Sequence, residues 1–309
     1  MSHTLVTGGA GFIGSHLVQA LLDLGTPVRV LDDFSSGKME NLAGLSGDLQ
    51  VLEGDLRDRE SLSRALQDVE VVLHHAAFVS VPESMNDPST CFDVNVVATV
   101  ALFDAAREAG VRRVVVASSA AVYGDSQELP LQESSPTSAL SPYAASKRAA
   151  EIYAQLYTRA FDLEVVALRY FNVYGPRQRP DSMYAAAVPL FIRTLLDGKP
   201  VTIYGDGGQT RDLIYVQDVV RANLLAAQHP LAPGKVFNIC TGKETRIQDL
   251  LEVLFELFPD APQPVFEQPR SGDIYRSVGS PELARRTLDF HAQVTLSQGL
   301  KETVAWMQA

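Results

Sequence analysis

Leu5-Val6-Thr7 is an apolar run that breaks into Gly8-Gly9-Ala10-Gly11-Phe12-Ile13-Gly14 and resumes at helical spacing from Ser15 to Leu22. Strand, glycine turn and helix in that order bring backbone N–H groups and a helix N-terminus to one point, which suits a pyrophosphate. Gly8, Gly11 and Gly14 are spaced one residue wider than the G-x-G-x-x-G fingerprint, so the turn has the right context without matching the fingerprint. A second strand, residues 28–31, ends in Asp32-Asp33. Asp32 lies 18 positions beyond Gly14 (32 − 14). A carboxylate at ~20 accepts from an adenosine ribose hydroxyl and repels a 2′-phosphate. NAD is expected rather than NADP.

The alternation continues. Strands are expected at 49–52, 69–73, 113–117 and 165–169, with helices at 57–66 and across Asn95 to about Gly110. Such a β/α succession predicts an α/β fold of Rossmann type, a doubly wound parallel sheet with ligands at the strand C-terminal ends. Those ends carry Gly8, Asp32, Asp55, Ala76 and Ser118-Ser119. His74 and His75 are neighbours on a strand and point to opposite faces, so no metal site is expected. Beyond residue 170 the alternation weakens. Residues 1–170, rejoined by 213–240, are expected to form the dinucleotide-binding domain, with 171–212 and 241–309 as a smaller discontinuous substrate lobe. Residues 125–141, rich in Pro, Ser and Glu, read as a surface loop, and 247–258 and 281–307 as helical.

Composition narrows the partners. A net charge of −11 over 309 residues argues against nucleic acid or an anionic membrane, which require excess Lys and Arg. Cys91 and Cys240 lack CxxC spacing, which fits a reduced cytoplasmic protein. The N-terminus shows no signal-peptide pattern, and no segment reads as the run of ~20 apolar residues that spans a bilayer.

Ser141-Pro142 opens another helix: Ser is a natural N-cap and Pro suits the first turn, so Tyr143 and Lys147 share one face. A free tyrosine titrates near ~10. An ammonium beside the phenol favours its ionised form, which makes Tyr143 a candidate acid/base.

With Ser118-Ser119-Ala120-Ala121-Val122-Tyr123-Gly124 ahead of Tyr143-x-x-x-Lys147, the chain resembles the extended short-chain dehydrogenase/reductase family of NAD-dependent sugar-nucleotide epimerases and dehydratases. The glycine turn, Asp32, His75-Ala76-Ala77 and Asn95 match as well, over essentially the whole chain. The resemblance implies that Ser119 holds the substrate hydroxyl, Tyr143 exchanges its proton and Lys147 binds the nicotinamide ribose. It also implies cofactor contacts from Phe12, Ile13, Asp33, Ser35 and Gly37, from Asp55, Leu56, Ala76 and Ala77, and from Asn95 and Tyr170. The dehydratases of this family carry Asp-Glu at the positions of Ala120 and Ala121, and the decarboxylating members a glutamate. Alanine transfers no proton, so elimination lacks its catalysts while epimerisation survives.

The same resemblance places Asn172 and Arg211 on a UDP-sugar, with Val201 and Tyr204 in the uridine segment, Arg270 on phosphate and Asp273 on the uridine ribose. Ser277 stands where a tyrosine excludes N-acetylated sugars in related epimerases, and Gln178 and Ser80 resemble contacts of the N-acetylhexosamine subgroup, although Val79 replaces its usual glycine. A UDP-N-acetylglucosamine/UDP-N-acetylgalactosamine 4-epimerase is expected. The rivals are the UDP-glucose/UDP-galactose and UDP-glucuronate enzymes, and a non-catalytic NAD-sensing or scaffold protein. Homodimerisation through the helices at 95–109 and 142–160 is implied by resemblance alone.

Overall fold

The computed structural model describes residues 2–180, 187–269 and 274–309. Runs rich in Val and Leu form β1 (His3–Thr7), β2 (Val28–Asp32), β3 (Leu49–Glu53), β4 (Val69–His74), β5 (Arg113–Ser119) and β6 (Glu164–Tyr170), all largely buried on both faces except the edge strand β3. Short strands follow as β7 (Asn172–Tyr174), β8 (Thr202–Tyr204), β9 (Thr210–Arg211), β10 (Leu213–Tyr215), β11 (Val236–Ile239), β12 (Thr245–Arg246) and β13 (Val265–Glu267).

The main sheet is parallel throughout, in the order β3-β2-β1-β4-β5-β6-β11. Order reverses between β1 and β4, which opens a crevice at the strand C-terminal ends. Register aligns Thr7 with Leu31 and His74, and Ser119 with Tyr170, so Gly8, Asp32, Ala76 and Ser119 reach one edge.

The helices α1 (Phe12–Asp23), α2 (Arg59–Ala65), α3 (Val81–Asn86), α4 (Pro88–Phe92), α5 (Ala98–Glu108), α6 (Pro142–Ala160), α7 (Ala187–Leu196), α8 (Val216–Gln228), α9 (Ile247–Leu257), α10 (Glu282–Leu288) and α11 (Leu296–Gln308) cover the two faces and build the smaller lobe. One core joins α1 and α8 to the sheet, and a second joins α2, α5 and α6 to its other face. A third, around Phe191, Ile192, Val201, Ile203, Leu250 and Leu300, belongs to α7, α9, α11 and the short strands.

Two expectations require correction. The continuous helix Pro88–Glu108 is long and apolar enough to cross a bilayer by length and composition. Its polar residues Asp93, Asn95, Asp104 and Arg107 had interrupted any unbroken apolar run without lowering the average below that mark. Ala98, Leu102, Phe103 and Ala106 of this helix pack into the core beneath α6 and β5, the placement of a core helix. The 125–141 segment is more than a surface loop. Leu131 is buried, its N–H donates to the Val278 carbonyl at 2.9 Å, and its carbonyl accepts from Ser280 N at 2.8 Å and from Asn238 Nδ2 at 2.9 Å.

Candidate active site

The glycine turn is shaped by close approach. Gly8 has φ +67°, and a Cβ there would lie 2.6 Å from Ala76 N. At Gly14 a Cβ would meet the Gly8 carbonyl at 2.1 Å. Beyond the turn, Gly11 caps α1 with no side chain, and no acid occupies the first turn. The N–H groups at Phe12 and Ile13 therefore face the crevice with the positive end of the helix dipole behind them, as an anionic pyrophosphate requires.

Asp32 closes the other side. Its Oδ2 accepts from Ala10 N at 2.8 Å and its Oδ1 from Phe34 N at 2.9 Å, and each oxygen keeps a further lone pair for a ribose hydroxyl. Burial raises its pKa against the pull of these two N–H groups. Gly37 lies so near that a Cβ there would be 2.8 Å from Asp32 Oδ1. Asp33 is exposed, and its Oδ1 accepts from both the N–H and the hydroxyl of Ser35. Asp55 forms an ion pair with Arg57, which lowers its pKa, while Leu56 is buried in the core. These residues fit a dinucleotide whose ribose is held by carboxylate.

The catalytic wall is built by β5 and α6. Ser119 Oγ accepts from Ala121 N at 3.2 Å and so opens the 3-10 turn Ala120–Tyr123. Ser141 Oγ caps α6 by accepting from Ala144 N at 3.1 Å, which starts the helix one residue ahead of Tyr143. Tyr143 and Lys147 then stack one turn apart, with Lys147 Nζ 5.8 Å from the phenol ring centroid and donating to the Ala117 carbonyl at 3.0 Å. Burial pushes the Tyr143 phenol up, and the facing Ser119 hydroxyl draws it down with the smaller effect. Burial lowers the Lys147 ammonium to about 8. Burial thus dominates the phenol in the protein alone, and the expected lowering calls for the positive nicotinamide beside it as well as Lys147.

Asn95 lies in a π-helical turn, Asp93–Val97, and is buried. Its Oδ1 accepts from Phe78 N at 2.8 Å, and its Nδ2 donates to Phe78 O and to Ser146 Oγ, both at 2.9 Å. Ser146 Oγ donates to the Tyr143 carbonyl at 2.7 Å. Asn95 thereby fixes the chain that follows Ala76 and Ala77 against the first turn of α6. Tyr170 lies behind the wall, its ring stacked on His75 and its hydroxyl paired with Asn223.

Sequence reasoning missed the supports. Glu151, fully buried, receives two parallel N–H bonds from Arg169 at 2.7 and 2.8 Å and the Ser118 hydroxyl at 2.6 Å. Arg169 also donates to Tyr123 OH at 2.7 Å, and Tyr123 OH donates to Asn238 Oδ1 at 2.7 Å. The signal was present: Glu151 continues the Tyr143, Lys147 face at the next i+4 position. Between β1 and β4, Thr7 Oγ1 accepts from the N–H groups of His75 and Ala76 and pairs with His74 Nδ1 at 2.7 Å. The single Thr7 proton therefore goes to His74 Nδ1, which assigns the Nε2–H tautomer donating to Thr99 at 3.0 Å.

On the sugar side, Asn172 is exposed at the end of the sheet, its N–H donating to the Asp212 carbonyl at 3.0 Å. Gln178 Nε2 donates to Val173 O at 3.0 Å, and its Oε1 is buried without a partner among the described residues. Arg211 Nη1 donates to the carbonyls of Thr210 and Ile274. Tyr204 lies in β8, and Ser277 is half-buried ahead of Val278. Ser80 Oγ accepts from Glu83 N as the N-cap of α3. Val201 differs from expectation, because its side chain is core and its carbonyl accepts from Val265 N. Arg270 and Asp273 lie outside the described residues.

A Rossmann sheet, a carboxylate-flanked glycine turn and a Ser-Tyr-Lys wall at one edge define a nucleotide-dependent enzyme of the extended short-chain dehydrogenase/reductase type. The sequence matches the NAD dependent epimerase/dehydratase family over residues 4–240. It is 42% identical over 310 residues to a UDP-glucose 4-epimerase of Mycolicibacterium smegmatis, covering 99% of this chain and 98% of that one. The fold superposes with a TM-score of 0.95 and 38% identity on UDP-N-acetylglucosamine 4-epimerase from Methanobrevibacter ruminantium M1, solved with UDP-N-acetylmuramic acid, over 99% and 98% of the two chains. It superposes with a TM-score of 0.93 and 37% identity on UDP-glucose 4-epimerase from Thermotoga maritima, solved with UDP-glucose, again over 99% and 98%. The chain belongs to the NAD-dependent epimerase/dehydratase family.

Proposed function

We propose that this enzyme reversibly inverts C4 of UDP-hexoses and takes UDP-N-acetylglucosamine and UDP-N-acetylgalactosamine as its preferred pair. The observation that carries the reading is the wall itself: Ser119, Tyr143 and Lys147 are complete, while the two positions that directly follow Ser119 are Ala120 and Ala121. When bound, NAD supplies reversible hydride acceptance. Ser119 positions the sugar O4, Tyr143 takes its proton, and Lys147 holds the cofactor ribose at the second turn of α6. The same tyrosine returns the proton after the 4-keto sugar has presented its other face. Asn172, Arg211 and Gln178 line the side from which the sugar nucleotide enters.

Preference for the acetylated pair rests on Ser277, whose small side chain leaves room beside C2. The plain pair is the second reading, favoured by the Mycolicibacterium smegmatis and Thermotoga maritima relatives. A panel of UDP-hexoses followed by sugar-nucleotide chromatography separates them. Faster turnover of the acetylated pair supports the first reading, faster turnover of the plain pair the second, and no interconversion of any member refutes both.

We infer further that the enzyme works in the cytoplasm as a homodimer. Phe92 and Val97 on the Pro88–Glu108 helix, and Ile152, Tyr153 and Leu156 on α6, are exposed apolar residues on neighbouring helices. Pairing that face with its copy would remove it from water. Sedimentation equilibrium reads the outcome: a mass near twice 33.6 kDa supports it, and a monomer contradicts it.

A further inference from the structure

Asp212 is fully buried, and the bonds around it join four separate stretches of chain. Its Oδ1 accepts from Thr241 N at 2.8 Å and from the Thr241 hydroxyl at 2.7 Å. Its Oδ2 accepts from Gly242 N at 2.9 Å and Gly279 N at 3.3 Å. Its carbonyl accepts from Asn172 N. The segment held at Gly279 carries Ser277, and it is gripped at its other end by Arg211, through Ile274 O at 2.7 Å, and by Thr210 N, through Tyr275 O at 2.8 Å. At Gly279 it also pairs with Leu131, which bonds to Val278 and Ser280 on either side. Contact with the sheet is close, since a Cβ at Gly279 would lie 2.5 Å from the Phe171 ring and 2.7 Å from Cys240 Sγ. The segment is a strap pressed onto the end of the sheet, with Asp212 as its inner post.

We infer that Asp212 is a positioning residue for the sugar nucleotide: it sets the distance between Asn172 and Arg211 on one side and the Ser277 strap on the other, and so controls substrate affinity and C2 preference without touching the reacting atoms. The inference rests on the UDP-hexose reading of the site. A carboxylate is required because all four bonds to its side chain are donated to it. An amide at this position keeps the Thr241 pair but turns an NH2 toward Gly242 N and Gly279 N, where donor meets donor.

The test is Asp212→Asn, compared with the wild type in steady-state kinetics and in calorimetric titration with UDP. Loss of bonds to a buried charged group predicts a KM for UDP-hexose raised about tenfold or more, with a parallel loss of UDP affinity. The account also predicts kcat within about twofold, unchanged NAD binding and a narrowed ratio between acetylated and plain substrates. An unchanged KM and UDP affinity, or a fall in kcat alone, overturns it. If Asp212→Asn does not fold, Thr241→Val removes the hydroxyl bond and keeps the N–H bond. A smaller rise in KM then supports the inference, and no rise contradicts it. Should the wild type convert no UDP-hexose, the parent reading fails, while the UDP titration still decides the role of Asp212.

Discussion

Tyr143→Phe removes the hydroxyl that faces Ser119 and leaves the ring that packs beside Lys147. Turnover is predicted to fall about 10²–10⁴-fold with NAD binding retained, read by rapid kinetics and by cofactor retention on gel filtration. Full activity would remove the phenol from the proton path. The spacing of Tyr143 and Lys147 and the cap at Ser141 were legible because local rules fix them: a helix places i and i+4 on one face. The burial of the phenol was not legible, since it depends on distant chain. The histidines make a second residue-scale prediction. Burial lowers His16 to about 4 and His74 and His75 to about 3. Between pH ~6.5 and those values the unfolded chain binds more protons than the native one, so stability rises with pH across that window. The urea midpoint is expected to drop as pH falls from 7 toward 4. A midpoint that stays level to pH 4 would mean that these imidazoles can charge in place.

At the scale of elements, α6 does more than present two side chains. Glu151 binds it to Arg169 on β6 and to Ser118 on β5, beside Ser119. Glu151→Gln leaves the buried guanidinium uncompensated and is predicted to destabilise the fold by about 3–5 kcal/mol, measured by denaturant unfolding. Replacing Glu151 and Arg169 together by apolar residues should cost less than Glu151→Gln, and an equal or greater loss would show that the pair is not acting as a unit. Helical spacing alone put Glu151 on the Tyr143, Lys147 face without saying what it meets there. Its partner stands 18 residues away on a strand, and only the parallel register of β5 with β6 brings them together. Leu131 escaped for the same reason. A Pro-Ser-Glu-rich stretch reads as surface, and what buries Leu131 is a strap more than 140 residues further on.

For the molecule as a whole, the β/α alternation determined the sheet, and the sheet order determined where ligands go. Hydrophobic periodicity carries that information densely in the first 170 residues and thinly thereafter, where two- and three-residue strands depend on contacts such as Asp212 with Gly279. Substrate choice is accordingly the property least written in local pattern. Ser277→Tyr is predicted to lower kcat/KM for the acetylated pair about tenfold or more relative to the plain pair, since a bulky side chain would fill the space beside C2. An unchanged ratio would remove Ser277 from the account. The central claim is that the enzyme inverts C4 by taking a hydride and giving the same hydride back. UDP-N-acetylglucosamine deuterated at C4, incubated in ordinary water with the enzyme and NAD, tests it most directly by nuclear magnetic resonance and mass spectrometry of the product. The account predicts UDP-N-acetylgalactosamine that keeps its deuterium at C4, and a product that has exchanged it for solvent hydrogen, or no epimer at all, would contradict it.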